Sequence, residues 1–357
     1  MDRPEFIEEL RREAQNTSHR QRMQNFYRLQ LMKDPSRELF YVKPADLWIK
    51  EECSKPAARK LLGTLWYEHE LCIFFADTNL GKSVLAVQIG NCLAKQAGME
   101  PFGSEANEPL KVLYIDFELT PAQFKARYTD ATWGPHCFGE NFIRAEFNPR
   151  GDDPDLYDRY EDYVRERLES VIAATKAHVL IIDNITCMGN PLVYGGGALQ
   201  LMKTLKALKT KHRLSMLVLA HTPKRNPYNP ITVNDLQGSK MLINFADSAF
   251  ALGQSQNQPD LRYLKQIKQR NTQPLYDADH VCLFRLVKEQ SFLGFQFEGF
   301  DTERQHLCKA GTALSDDIKK RIPELARQGL SKRQIADHLR IGASSVQRVM
   351  AKLKEES

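Results

Sequence analysis

The chain has no C-x-x-C pair and no histidines grouped at metal-ligand spacing. Its seven cysteines, Cys53, Cys72, Cys92, Cys137, Cys187, Cys282 and Cys308, are scattered along 357 residues. That spacing excludes the usual structural zinc frameworks. No apolar run approaches the roughly 18 residues that span a bilayer. The opening stretch MDRPEFIEELRREAQ is charged from its second residue and lacks the apolar region of a signal peptide. The expectation is a cytoplasmic protein with reduced thiols and no membrane partner. There is also no internal repeat and no low-complexity tract, which removes solenoids and biased linkers. A net charge of +5 is slight for this length. It names no partner, although it permits contact with a polyanion.

What is present is ordinary material for a folded core, with 42% hydrophobic and 27% charged residues. The length allows one sizeable α/β domain and small attachments. Residues 1–62 read as a polar, helical N-terminal segment interrupted by Pro35, Pro44 and Pro56. From Leu71 short apolar runs alternate with helical patterns, the mark of a parallel sheet with crossover helices. The runs are LCIFF (71–75), VLYIDF (112–117), VLIID (179–183), SMLVLA (215–220) and SAFAL (248–252). A helix opening at Asp153-Pro154 is predicted to bury Leu156, Tyr160, Tyr163, Val164, Leu168, Val171 and Ile172. Another, from Ala198, turns Leu201, Met202, Leu205 and Leu208 inward and leaves Lys203, Lys206 and Lys209 as a solvated face. Past Leu261 the pattern alternates as in β-hairpins and ends near Asp301.

LCIFF runs into Ala76-Asp77-Thr78-Asn79-Leu80-Gly81-Lys82-Ser83 and then into a helical stretch, a phosphate-binding loop in its required setting. Gly81 makes room for phosphate, Lys82 neutralises the β- and γ-phosphates, and Ser83 offers its hydroxyl to Mg²⁺. Alanine stands where the pattern has its first glycine, which works if Ala76 keeps a negative φ. Such a site needs a strand ending in an acid for the Mg²⁺ shell and a second acid for the attacking water. Asp183, closing HVLIID, fits the first need. Glu118, closing VLYIDFE, fits the second, with Asp116 as its rival.

The order of these parts resembles the RecA/DnaB-type motor core, over about residues 63–300. DnaB-type replicative helicases also begin the loop with alanine, and Phe117-Glu118-Leu119-Thr120-Pro121 resembles their catalytic-glutamate segment. Lys268-Gln269-Arg270-Asn271 resembles the strand that carries their arginine finger. The resemblance implies a RecA-like α/β core with a mainly parallel sheet. It implies ATP and Mg²⁺ as ligands, with Glu118 polarising water and His221 as a polar sensor. Lys268 and Arg270 would reach the γ-phosphate of a neighbouring subunit in a homo-oligomer, expected to be a hexamer. The long loops 184–197 and 222–237, the latter with Lys224 and Arg225, would face single-stranded nucleic acid.

Beyond a linker at 301–312, residues 313–357 form three helical stretches with turns at Gly329 and around Arg340-Ile341-Gly342. Ser331 is the expected N-cap of the second. Ile335, Ala336, Leu339, Ile341, Val346 and Val349 make the small apolar set that such a unit buries. The segment resembles a resolvase-like helix-turn-helix, although Arg340 stands where a glycine is usual. From 315 onward it has ten Lys/Arg against six Asp/Glu. By that resemblance Ser344, Ser345, Gln347 and Arg348 would meet the major groove of double-stranded DNA. The whole reads as an ATP-driven DNA helicase or translocase of plasmid or mobile-element replication. The alternatives are a regulatory DNA-binding ATPase, an initiator or helicase loader that does not unwind, and an adaptor that holds ATP structurally.

Overall fold

Every side chain of Leu71–Ala76 is buried. Cys72, Phe74 and Ala76 join one apolar cluster, while Leu71, Ile73 and Phe75 join another. Successive side chains of a strand leave on opposite faces, so this strand needs helices on both sides of its sheet. The computed structural model describes residues 40, 42–148, 160–185, 197–223, 225–236, 240–308, 316–339, 341–343, 345–347 and 349–350.

In chain order the elements begin with α1 (Ala45–Cys53), β1 (Lys60–Leu62), β2 (Trp66–Tyr67), β3 (Leu71–Ala76), α2 (Lys82–Ala94) and β4 (Val112–Asp116). Next come α3 (Pro121–Arg127), β5 (Thr129–Asp130), β6 (Gly134–Pro135), β7 (Phe142–Glu146), α4 (Tyr160–Thr175), β8 (Val179–Asp183), α5 (Gly197–His212) and β9 (Ser215–His221). The last are α6 (Lys240–Phe245), β10 (Ser248–Gln254), β11 (Leu261–Gln269), β12 (Val281–Glu289), β13 (Phe292–Asp301), α7 (Asp316–Arg327) and α8 (Lys332–Leu339). None of the described helices is long and apolar enough to cross a membrane.

The chain divides into two compact units, residues 1–58 and 59–357. In the first, α1 buries none of its residues, and Leu47, Trp48 and Ile49 stay exposed. Lys43 pairs with Glu51 at 2.7 Å and sits 4.7 Å over the Trp48 ring. The expected helical stretch to residue 62 needs correction at its end: β1 pairs antiparallel with β2, because Leu61 and Leu62 are buried in the second unit.

A nine-stranded sheet organises the second unit, in the order β13-β12-β11-β10-β3-β9-β8-β4-β7. The six strands from β10 to β7 are parallel, and β10 through β13 form an antiparallel meander. Helix α2 covers one face, through Val84, Leu85, Val87, Ile89 and Leu93. Helices α4, α5 and α6 cover the other, through Val164, Leu168, Ile172, Leu201, Leu205, Leu208, Leu242 and Ile243. This is the α/β architecture with a mainly parallel central sheet expected from the apolar runs.

The start of α4 expected at Asp153-Pro154 lies outside the described residues. Along its described length Val164, Leu168 and Ile172 are buried as expected, whereas Val171 remains 37% exposed. The lysine row on α5 is corrected at one position. Lys203 and Lys206 are exposed, but Lys209 pairs with Asp247 at 2.8 Å because that carboxylate follows directly on α6.

The C-terminal helices have an apolar cluster of their own: Ile322, Leu325, Ile335, Ala336 and Val346, with Leu339, Ile341 and Val349 packed against it. Gly329 closes α7 with φ +87°. The next amide, Leu330 N–H, reaches back to Leu325 O at 3.3 Å, a left-handed helix stop that glycine adopts without strain. Ser331 caps α8 as expected, its Oγ accepting from Gln334 N while Gln334 Oε1 accepts from Ser331 N.

Candidate functional site

The strand order decides which residues meet. Between β3, which ends in the phosphate loop, and β8, which ends in Asp183, lies one strand, β9, ending in His221. Beyond β8 comes β4, with Asp116 paired in register to Asp183. The carboxyl ends of four parallel strands therefore bring the loop, His221, Asp183 and the turn bearing Glu118 to one edge of the sheet, where open α/β sheets bind ligands.

In the loop, Ala76 is the buried last residue of β3 and has no left-handed backbone, so alanine meets no penalty there. The left-handed positions are Asn79 (φ 63°) and Gly81 (φ 95°). Gly81 is required twice over, since a Cβ there would also lie 2.6 Å from the Phe295 ring. Asp77 steadies the turn by accepting from Thr78 N at 2.8 Å. Thr78 and Asn79 are exposed. Leu80 is buried, and its carbonyl accepts from Arg262 Nε at 3.3 Å.

Lys82 opens α2 and is only 5% exposed. Burial pushes its ammonium below the ordinary lysine range, and Asp183, Glu118 and Asp77 offset this only in part. Its Nζ lies 3.2 Å from His221 Nδ1, and His221 Nε2 lies 3.1 Å from Glu118 Oε1. With Lys82 charged, Nδ1 accepts and Nε2 carries the proton donated to Glu118. Asn184 Nδ2 donates to the same Oε1. Burial alone would raise the Glu118 carboxyl. The Asn184 and His221 donors and the Lys82 charge outweigh it and hold the group below the usual carboxylate range.

Asp183 is fully buried. Burial raises its carboxyl, although the Ser83 and Tyr114 hydroxyls favour the ionised form. Tyr114 Oη donates to Oδ2 at 2.5 Å, while Oδ1 has no hydrogen-bond partner. A buried, unpaired carboxylate oxygen next to Ser83 fits the shell of a Mg²⁺ ion, which takes few protein ligands and completes its sphere with water and phosphate oxygens.

Asp116, the rival base, is consumed by structure: Oδ1 accepts from Glu118 N and Leu119 N at 3.0 and 2.9 Å, and Oδ2 accepts from Arg144. Tyr114, Arg144, Asn184 and Phe295 escaped the sequence reading. Only Asn184, next to Asp183 at a strand end, left a local signal.

Other expected residues lie elsewhere. Lys268 Nζ donates to Ile243 O and Ala246 O, and Arg270 donates to Asn244 O and Asp247, so in this chain both close the end of α6. Arg225 is turned inward, 14% exposed, toward Asp235 and Asn229 O. Ser345 is half-buried and Gln347 exposed. Lys224, Ser344 and Arg348 lie outside the described residues.

Asp183 supports a stability prediction. Its folded-state pKa is raised, so the ionised group costs stability above the unfolded-state value, and the cost disappears as pH falls through the raised one. Asp183→Asn is expected to raise the melting temperature of the nucleotide-free protein at pH 7 while abolishing Mg²⁺-dependent turnover. The gain is about 1 kcal/mol, or roughly 1–2 °C for a protein of this length. It shrinks in melts recorded at acid pH. A lower melting temperature at pH 7 would count against the uncompensated burial.

An AAA domain family profile matches residues 36–227, more than half of the chain. No curated protein matches it. Among solved structures, a KaiC-like protein, PH0186, from the hyperthermophilic archaeon Pyrococcus horikoshii OT3 is 15% identical with a TM-score of 0.46, over 67% of this chain and 99% of that one. A RadB recombinase is 16% identical with a TM-score of 0.42, over 62% of this chain and 89% of that one. With a phosphate-binding loop and its acidic partners inside the matched segment, the chain belongs to the AAA domain family, whose P-loop core is of the nucleotide-binding ATPase class.

Proposed function

We propose that this protein is an oligomeric ATP-hydrolysing DNA helicase or translocase, a hexamer serving the replication of a plasmid or other mobile element. The carrying observation is the continuous line Lys82–His221–Glu118–Asn184 beside buried Asp183. In this reading ATP lays its β- and γ-phosphates on the loop, and Lys82 leaves His221 to neutralise them. Asn184 and His221 keep Glu118 ionised and aimed. Glu118 takes the proton of a water that attacks the γ-phosphorus as the bond to ADP breaks. Ser83 and Asp183 would hold Mg²⁺, which would supply neutralisation of the phosphate charge. His221 ends the strand that continues into the loop at 222–236, so exchanging its Lys82 contact for phosphate transmits nucleotide state to that loop.

The DNA half of the reading rests on those loops for single strands and on residues 313–357 as a helix-turn-helix for duplex; in the expected linker at 301–312, Glu303, His306 and Leu307 are buried, with Glu303 paired to Lys265 of the core. The test is unwinding of a forked duplex with ATP, with Lys82→Ala as control. Strand displacement by the wild type, lost in the variant, is the expected outcome. DNA-stimulated hydrolysis without displacement would replace the motor with a regulatory ATPase, and no hydrolysis with intact ATP binding would replace it with an adaptor. Deleting 313–357 is expected to abolish duplex site preference and spare single-strand binding; an unchanged preference removes the tail from recognition.

A further inference from the structure

We propose that Arg144 is a positioning residue for hydrolysis, acting through Asp116 to hold the turn on which Glu118 stands. The proposal rests on the reading of Glu118 as the base. Arg144 sits on β7, the edge strand next to β4, and is separated from the phosphate loop by β4, β8 and β9. Each of its three guanidinium nitrogens donates a hydrogen bond. Nε donates to Asp116 Oδ2 at 2.9 Å, Nη2 to Leu119 O at 2.6 Å and Nη1 to Glu146 Oε2 at 3.2 Å, and its carbon lies 4.9 Å over the Phe124 ring.

Two of those donors converge on the stretch between β4 and α3. Asp116, locked by Arg144, accepts from the backbone of Glu118 and Leu119. Phe117 N donates to Asp183 O at 2.8 Å, so three consecutive amides of the turn are tied down. On the far side Thr120 caps α3 with Gln123 in a reciprocal capping box. Glu118 itself is exposed, and its side chain is steered by donors to a single oxygen. The backbone therefore sets where the carboxylate stands: Asp116 accepts from the turn's amides, and Arg144 donates to its Leu119 carbonyl, which an acceptor such as Asp116 cannot hold. A misplacement of about 1 Å at a reacting group can cost on the order of 10²-fold in rate.

Lysine at 144 keeps a positive charge for Asp116, but as a point charge it cannot hold Asp116 and Leu119 O in one planar fork. Arg144→Lys is expected to lower kcat about 10- to 100-fold and leave binding of a fluorescent ATP analogue within about 2-fold. Arg144→Gln, which also removes the charge, falls further in the same assay, and both are assayed below their measured melting temperatures. The decisive readout is the double variant with Glu118→Gln. Because Arg144 acts through Glu118, adding Arg144→Lys to Glu118→Gln leaves the residual rate unchanged.

Wild-type kcat in Arg144→Lys overturns the proposal. So does a rate loss that multiplies through in the double variant, or one matched by an equal loss of nucleotide affinity. If Glu118→Gln alone turns over like the wild type, the reading of Glu118 has failed and the proposal falls with it. If Glu118→Gln is inactive and Arg144→Lys is normal, only the positioning role falls.

Discussion

Glu118→Gln is expected to lower ATP turnover by about 10²–10⁴-fold, the range that a general base contributes, while leaving ATP and Mg²⁺ binding in place. The amide has the shape of the carboxylate but cannot take a proton from water. The proposed ligands of the phosphates and of the metal, Lys82, Ser83 and Asp183, are untouched. The site is half-exposed, so the fold tolerates the exchange. Two measurements separate the effects: steady-state phosphate release and the affinity for a fluorescent ATP analogue. Full turnover in Glu118→Gln would place the base elsewhere. The nearest alternative, Asp116, has both oxygens committed to the turn and to Arg144. The pH profile carries a second sign. The Glu118 carboxyl is held below its ordinary range, so it stays ionised as pH falls toward the usual carboxylate value, and the acid limb of kcat lies below that value. Asn184→Leu removes one of the donors that oppose burial and is expected to move that limb upward.

How far the sequence could be read follows from which forces are local. Runs such as LCIFF and VLIID announce strands covered on both faces, and the structure buries every one of their residues. A strand running into G-K-S and then a helix states its own purpose, and Asp183 and Glu118 follow from needing acids at strand ends. Pairings across the sheet carry no such local mark. Arg144 acts on a residue 28 positions earlier, from a short edge strand with weak alternation. Phe295 closes over Gly81 only because the β12–β13 hairpin returns to α2, where Gln88 holds its backbone in both directions. Lys209 has the spacing of a solvated face, yet it finds Asp247, which no periodicity could foresee. Arg225 reads as a free loop cation and is folded inward by Asp235 and Asn229 for the same reason.

If Arg270 is the finger of an assembled protein, Arg270→Ala is expected to abolish most of the turnover, and mixing it with Lys82→Ala to restore part of it. The argument begins with register. Gln269 pairs with Ser248, and Ser248 with Cys72, so Arg270 stands near the amino end of β3, whereas the phosphate loop leaves its carboxyl end. Four residues along a strand are about 13 Å, and two strand spacings add about 10 Å sideways. The guanidinium is moreover held by Asp247 and Asn244 O on the face that α6 closes. Any phosphate it serves would therefore belong to another subunit, and the bonds to α6 would have to be given up on assembly. An arginine supplied in trans is worth about 10³-fold or more in rate. The ion pair it leaves behind is partly exposed and worth at most about 1 kcal/mol, so the melting temperature hardly moves. Lys82→Ala keeps Arg270 but cannot hold its own nucleotide, while Arg270→Ala keeps its loop and lacks the charge. Mixed, a sound loop of one can meet a sound arginine of the other, and activity returns in a fraction of the interfaces. Wild-type turnover in Arg270→Ala, or two inactive variants that stay inactive when mixed, would reduce Lys268 and Arg270 to what they are within one chain, the closing caps of α6.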